Sequence, residues 1–166
     1  MQWNNKYNYP KSTRSIFQGS RHYSVNKENL PSVTTILKAT ESEEKKAKLE
    51  EWKKRVGYKQ AEAISKEATT RGSSMHDYLE KFLLGKLNLD LLGDNTREKM
   101  MADQIIENGL RHKLNEIWGC EATLYYPGKY AGAADCIGIY ENKETIIDFK
   151  QSNKPKKDEW IDDYYL

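Results

Sequence analysis

An α+β fold, with a helical N-terminal part packed on a small mixed sheet that begins as a three-strand antiparallel meander, is what this sequence predicts. Three observations lead there. Apolar residues recur at helical spacing through the first two thirds, the pattern switches to short strand-like runs after Gly119, and no internal repeat or long linker separates the two regions. At 166 residues the chain has the length of one ordinary domain, with no room for a separate cofactor-binding domain.

Taken in order, residues 1–29 read as a basic, flexible arm. No acidic residue precedes Glu28, whereas Lys6, Lys11, Arg14, Arg21 and Lys27 are all cationic. An organelle import signal would share that bias, but the Asn and Tyr content fits it less well. Residues 30–166 are expected to form the folded domain. Thr40 with Glu43 fits a capping box opening a charged helix that stops at Gly57. A second helical stretch runs from Tyr58 to near Thr70. A third, from Gly72 to about Leu84, carries an apolar stripe of Met75, Tyr78, Leu79, Phe82 and Leu83. Asn95 with Glu98 suggests another capping box, starting a helix whose Met101, Ile105, Leu110, Leu114 and Ile117 face inward until Gly119.

Strands are expected over Cys120–Tyr126, Tyr130–Tyr140 and Glu144–Lys150, joined by Pro127-Gly128-Lys129 and by an Asn142-Lys143 turn. A polar loop, Ser152 to Lys157, then leads to what reads as the start of a helix, Asp158 to Leu166.

Composition sets limits on function. With 37% hydrophobic and 31% charged residues the chain is polar but not disordered in character. No apolar run approaches the roughly 20 residues of a membrane helix. A formal charge of +2 does not announce nucleic-acid binding, so any such affinity depends on where the cations sit. Cys120 and Cys136 fit neither a disulfide framework nor a four-cysteine metal site; they read as small buried residues in a reducing compartment.

The chemistry concentrates in the strands. With Glu141 facing Glu144 across the turn, Ile137 falls opposite Asp148 and Asp135 opposite Lys150, which puts Asp135, Asp148 and Lys150 on one face of the sheet. The two carboxylates would lie about 7 to 8 Å apart at Cα. Two carboxylates converging beside a lysine are costly in an apolar sheet unless a cation neutralises them, and hard oxygen ligands suit Mg²⁺. Gly132, Ala133 and Ala134 leave room for a close approach to the strand. The competing reading is that D-x-K and E-x-K patterns are common: Glu43-Glu44-Lys45, Glu51-Trp52-Lys53 and Glu141-Asn142-Lys143 match as well. Those lie on a charged helix or in a turn, whereas Asp148 follows Ile146-Ile147 in an apolar strand. His76 sits at the rim of the third helix's stripe, where a histidine is more often a satisfied core residue than a ligand. Glu121 would face Asp135 if the first hairpin turn has three residues, and point away if it has two.

Leu30-Pro31-Ser32-Val33-Thr34-Thr35-Ile36-Leu37, Leu49 with Trp52 and Gly57, Arg71-Gly72-Ser73-Ser74-Met75-His76, Glu121, Tyr130-Ala131-Gly132-Ala133-Ala134-Asp135 and Asp148-Phe149-Lys150-Gln151-Ser152 form a set of motifs. Together they resemble the RecB-like branch of the PD-(D/E)XK nucleases, and within it the mitochondrial genome maintenance exonucleases and their phage relatives. The resemblance implies a restriction-endonuclease-like core and an exonuclease that hydrolyses DNA phosphodiester bonds. It implies that His76, Asp135 and Asp148, with the backbone carbonyl of Phe149, hold one or two Mg²⁺ or Mn²⁺ ions. Asp135, Asp148 and Lys150 would be catalytic, the lysine orienting and deprotonating water, with Glu121 a further candidate. Arg71, Ser73, Ser74, Ser32 and Thr34 would contact phosphates, the alternative being caps and solvent-facing groups. Tyrosines and tryptophans stacking on unpaired bases would favour single-stranded DNA ends.

Two departures stand out. The glutamine expected on the helix after the lysine strand is missing, as are later strands and a helix, so the domain reads as incomplete at its C-terminus. The iron-sulfur variety of the family needs four cysteines and is excluded. A phage-encoded protein acting in the host cytoplasm is the preferred setting, with mitochondria as the alternative. An inactive nucleic-acid-binding module of the same fold is the competing function, and an interaction domain with coincidental motifs the third.

Overall fold

The computed structural model describes residues 1–86 and 96–152. The expected helix at Asp158–Leu166 lies outside them, as does all of the preceding polar loop but Ser152. Helices and two sheets make up an α+β architecture. The main sheet has the order β1-β5-β6-β7, from Gln2–Trp3, Leu114–Tyr126, Tyr130–Tyr140 and Lys143–Ile147. β1 is parallel to β5, and the other pairs are antiparallel. The second sheet, β2 (Ser12–Phe17), β3 (Ser20–Val25) and β4 (Glu28–Pro31), is an antiparallel meander. Much of the stretch expected as a flexible arm is therefore paired strand. Tyr23, Val25 and Leu30 bury themselves against Ala131 of β6, which gives these strands an apolar reason to dock.

α1 (Val33–Ala39) is capped by Ser32, whose hydroxyl accepts from the Thr35 N–H. α2 (Glu43–Val56) starts at Ser42, which accepts from the Lys45 N–H; Thr40 instead closes α1, its hydroxyl donating to the Ile36 carbonyl. Gly57, at φ 90°, separates α2 from α3. The second and third predicted helices are one, α3 (Tyr58–Leu83), because Thr70, Arg71 and Gly72 do not interrupt its backbone bonding. Its Met75, Tyr78, Leu79 and Leu83 pack with Ile117, Cys136 and Phe149 into the largest core cluster.

α4 (Arg97–Gln104) is capped by Thr96, not by Asn95, which lies outside the described residues. It passes into a π-helical turn, Ile105–Leu110, and does not reach Gly119. Leu114 and Ile117, expected on that helix, belong to β5. Both are buried in the same cluster because the register shift between Leu114 and Glu116 returns two residues three apart to one face; a second shift lies between Ile117 and Gly119. At one of these irregularities a Cβ on Gly138 would stand 2.0 Å from the Glu116 carbonyl oxygen, so only glycine fits.

The β6–β7 turn is Glu141-Asn142, with φ 47° and 64°, so Tyr140 faces Lys143 and Ile137 faces Ile146. The predicted turn was one residue later. That error slides the register by two positions and leaves the facing of side chains unchanged. β7 ends at Ile147, so Asp148 to Lys150 are not strand, and Asp135 does not pair with Lys150.

Candidate metal centre

Three elements converge where β7 stops. Across β5 and β6 Cys120 pairs with Cys136 and Ala122 with Ala134, which sets Glu121 and Asp135 opposite each other between them. The first hairpin turn has three residues, Tyr126 pairing with Tyr130, the case in which Glu121 faces Asp135. Glu121 has φ 49°, a kink within β5. α3 delivers His76 beside the buried Met75, and the chain leaving β7 brings in Phe149, whose ring is buried in the core and meets the imidazole edge-on at 6.2 Å.

His76, Glu121 and Asp135 each offer one ligand atom, and these atoms lie within 4.8 Å of one another. His76 Nδ1 is 3.5 Å from Asp135 Oδ1, and the Phe149 N–H donates to Asp135 Oδ2 at 2.6 Å. One carboxylate is thus held from both sides, and its environment shows the tension. Burial pushes Asp135 upward, but hydrogen bonds from His76 and the Phe149 N–H outweigh it and hold the carboxyl below its ordinary value. His76 is raised, chiefly by its hydrogen bond with Asp135, against the opposing effect of burial. Glu121 is also raised, by burial first and then by the charges of Asp135 and Glu80, with Arg14 and His76 acting the other way. Partly buried carboxylates that repel one another, with an imidazole and a backbone amide group at hand, form a nitrogen and oxygen donor set that suits a hard divalent cation.

Asp148 is outside this group. Its carboxylate is half exposed and accepts from Lys150 Nζ at 2.6 Å. Lys150 nevertheless lies close enough to act on the charges of both His76 and Asp135. A neighbouring cleft of about 470 Å³ opens between Met75, the π-helical turn at Ile105 and Asn108, and Lys150, Gln151 and Ser152.

Of the expected phosphate contacts, Arg71 is buried, donating from Nε to Gln151 Oε1 and from Nη1 to Glu67 Oε1. Gln151 was part of the motif, but its role in tying the Asp148–Ser152 segment to α3 was not legible without the fold. Ser32 is buried and shares its hydroxyl with Thr34 and Thr35. Thr34, Ser73 and Ser74 are exposed. The two cysteines are free, and burial pushes both thiols up to about 12. Among the described residues no helix is long and apolar enough to cross a membrane.

No family model matches the chain. It is similar to proteins named mitochondrial genome maintenance exonuclease 1. The mouse (Mus musculus) protein is 33% identical over 140 residues, 80% of this chain and 40% of that protein. The human (Homo sapiens) protein is 30% identical over 135 residues, 76% of this chain and 38% of its own length. The frog (Xenopus tropicalis) protein is 31% identical over 135 residues, 76% and 37% respectively. The chain spans about two fifths of the length of these relatives, and over that span the similarity supports a relationship to a family of exonucleases.

Proposed function

We propose that this chain is a DNA exonuclease of the PD-(D/E)XK type, dependent on Mg²⁺ or Mn²⁺, that trims single-stranded ends around a restriction-endonuclease-like core. The observation that carries this reading is the convergence of His76, Glu121 and Asp135, with the Phe149 backbone against them, where a strand ends. Similarity to proteins named as exonucleases supports the same class.

His76, Glu121, Asp135 and the Phe149 carbonyl would hold the ion, with Asp148 joining if its side chain turns inward. A divalent cation bound there supplies Lewis acidity toward a phosphodiester. The chain's own groups do the rest. Phe149 N–H fixes the Asp135 carboxylate, so the ligand geometry is preset before substrate arrives. Lys150, steadied by Asp148, presents an ammonium beside the cluster that can hold and orient water for in-line attack on phosphorus. Hydrolysis adds that water across one P–O bond, leaving a phosphate monoester and a hydroxyl. Arg71 acts as a clamp between α3 and the Lys150 segment, and Ser73, Ser74 and Thr34 are the exposed groups placed to meet phosphates.

One observation favours a second reading, a nucleic-acid-binding module that does not cut: Asp148 turns to Lys150 and is not among the three converging ligand groups. End-labelled linear and circular single-stranded DNA, incubated with Mg²⁺, Mn²⁺ or EDTA, separates the two. Metal-dependent loss of label from linear DNA alone is expected, and Asp135→Asn, Asp148→Ala and Lys150→Ala should each abolish it. Binding without cutting supports the module; cutting of circles replaces exonuclease by endonuclease.

A further inference from the structure

The N-terminal segment meets β5 at two places and leaves a gap between them. At one end Gln2 and Trp3 pair with Glu116 and Ile117, and the Asn4 N–H donates to the Ile117 carbonyl. At the other, the hydroxyls of Ser12 and Thr123 are 2.7 Å apart. Between these ties lies an open cleft of about 500 Å³ whose floor is β5 from Trp118 to Thr123. That floor includes Glu121, which is also one of the three candidate ligands, so the cleft and the candidate metal centre share a residue.

Its walls are aromatic. Trp3 is anchored by its indole N–H, which donates to the Leu83 carbonyl at 2.9 Å, yet 41% of its surface stays exposed. Tyr7 packs edge-on to Trp118 at 5.6 Å and remains 50% exposed. Tyr9 occupies the space above Gly119, where a Cβ would stand 2.7 Å from its ring. Lys6 Nζ stands over the Tyr7 ring, 5.3 Å from its centroid. Partly exposed rings held by their neighbours are platforms for flat ligands, since little entropy remains to be lost when something stacks on them. Lys11, on the same wall, is exposed and makes no ion pair among the described residues. Aromatic faces interleaved with a cation match the chemistry of unpaired bases on a phosphate backbone.

We infer that this cleft is a binding subsite for single-stranded nucleic acid, with Trp3 and Tyr7 stacking on bases and Lys11 contacting phosphate, and that it leads the strand toward Glu121. The choice of ligand rests on the nuclease reading above, but occupancy of the cleft does not require cleavage.

The test uses the full chain with a short labelled oligothymidylate in EDTA. Tyr7→Ala and Lys11→Ala, both at exposed positions, should each weaken binding measured by fluorescence anisotropy, the tyrosine by about fivefold or more. Circular dichroism should show unchanged folding. An oligonucleotide carrying 5-bromouracil, irradiated with the unsubstituted protein, should give adducts at Trp3 or Tyr7. Adducts confined to the opposite cleft, near Asn108 and Gln151, with undiminished affinity in both variants, would overturn the subsite, as would absence of any binding. Cleavage of the same DNA with Mg²⁺ is scored separately. Adducts at Trp3 without cutting would sink the nuclease reading alone, and cutting with adducts elsewhere would sink the subsite alone.

Discussion

At the proposed metal centre a proton and a divalent cation would compete for one lone pair of His76. Because its hydrogen bond with Asp135 raises the ring's pKa above the ordinary 6.5, the metal-free protein gains stability that is full below 6.5 and is lost as pH rises through the raised value. Metal binding needs the neutral ring, so its stabilising effect runs in the opposite direction. Scanning calorimetry in EDTA should show the melting temperature falling across that window, and added Mn²⁺ should raise it more above the window than below. His76→Ala should remove both trends. Glu121 gives a second check. Its raised pKa marks a carboxylate that ionises at a cost, so Glu121→Gln should stabilise the metal-free protein at neutral pH while weakening metal affinity by about tenfold or more, as read by titration calorimetry. Sequence alone left Glu121 undecided because its facing turned on one residue of loop length. Asp135 was legible from its strand, whereas the outward turn of Asp148 depends on where β7 stops.

Among the elements, β6 was read to the residue, as was the Pro127-Gly128-Lys129 turn, because proline and glycine punctuate two runs of β-forming residues. Helix starts were less legible: Ser42 and Thr96 cap where Thr40 and Asn95 were expected, since several hydroxyl and amide side chains crowd each boundary. The spacing of Leu114 and Ile117 satisfies a helix as well as it does a bulged strand, and only the β5–β6 register distinguishes them. Those irregularities have an energetic signature. Gly138→Ala should cost about 3 kcal/mol or more in urea unfolding, since the new methyl meets backbone, while Gly132→Ala, which meets the Val33 side chain at 3.4 Å, should cost far less. The β6–β7 turn has the opposite sign. Both of its residues have positive φ, so replacing Glu141-Asn142 with Asn-Gly should stabilise by about 1 kcal/mol.

For the molecule as a whole, a net charge of +2 makes long-range attraction to DNA weak, and the cations that matter are local. If two or three phosphates are neutralised in the cleft and at the metal centre, a plot of log affinity against log salt for single-stranded DNA should have a slope of about −1.4 to −2.1. A much steeper slope would mean a broader basic surface than the fold presents. The expectation of a basic arm found the right charges and missed their structure, because the apolar faces of β2 to β4 become meaningful only against Ala131. The tie between Ser12 and Thr123 joins residues 111 positions apart, and that between Trp3 and Leu83 joins residues 80 apart. During synthesis, then, the segment that walls the aromatic cleft must wait on the ribosome for partners made much later. Its docking closes long loops and belongs at the end of the folding sequence, so a nascent or partly unfolded chain would bring His76 into a formed helix well before the proposed strand-binding cleft is complete.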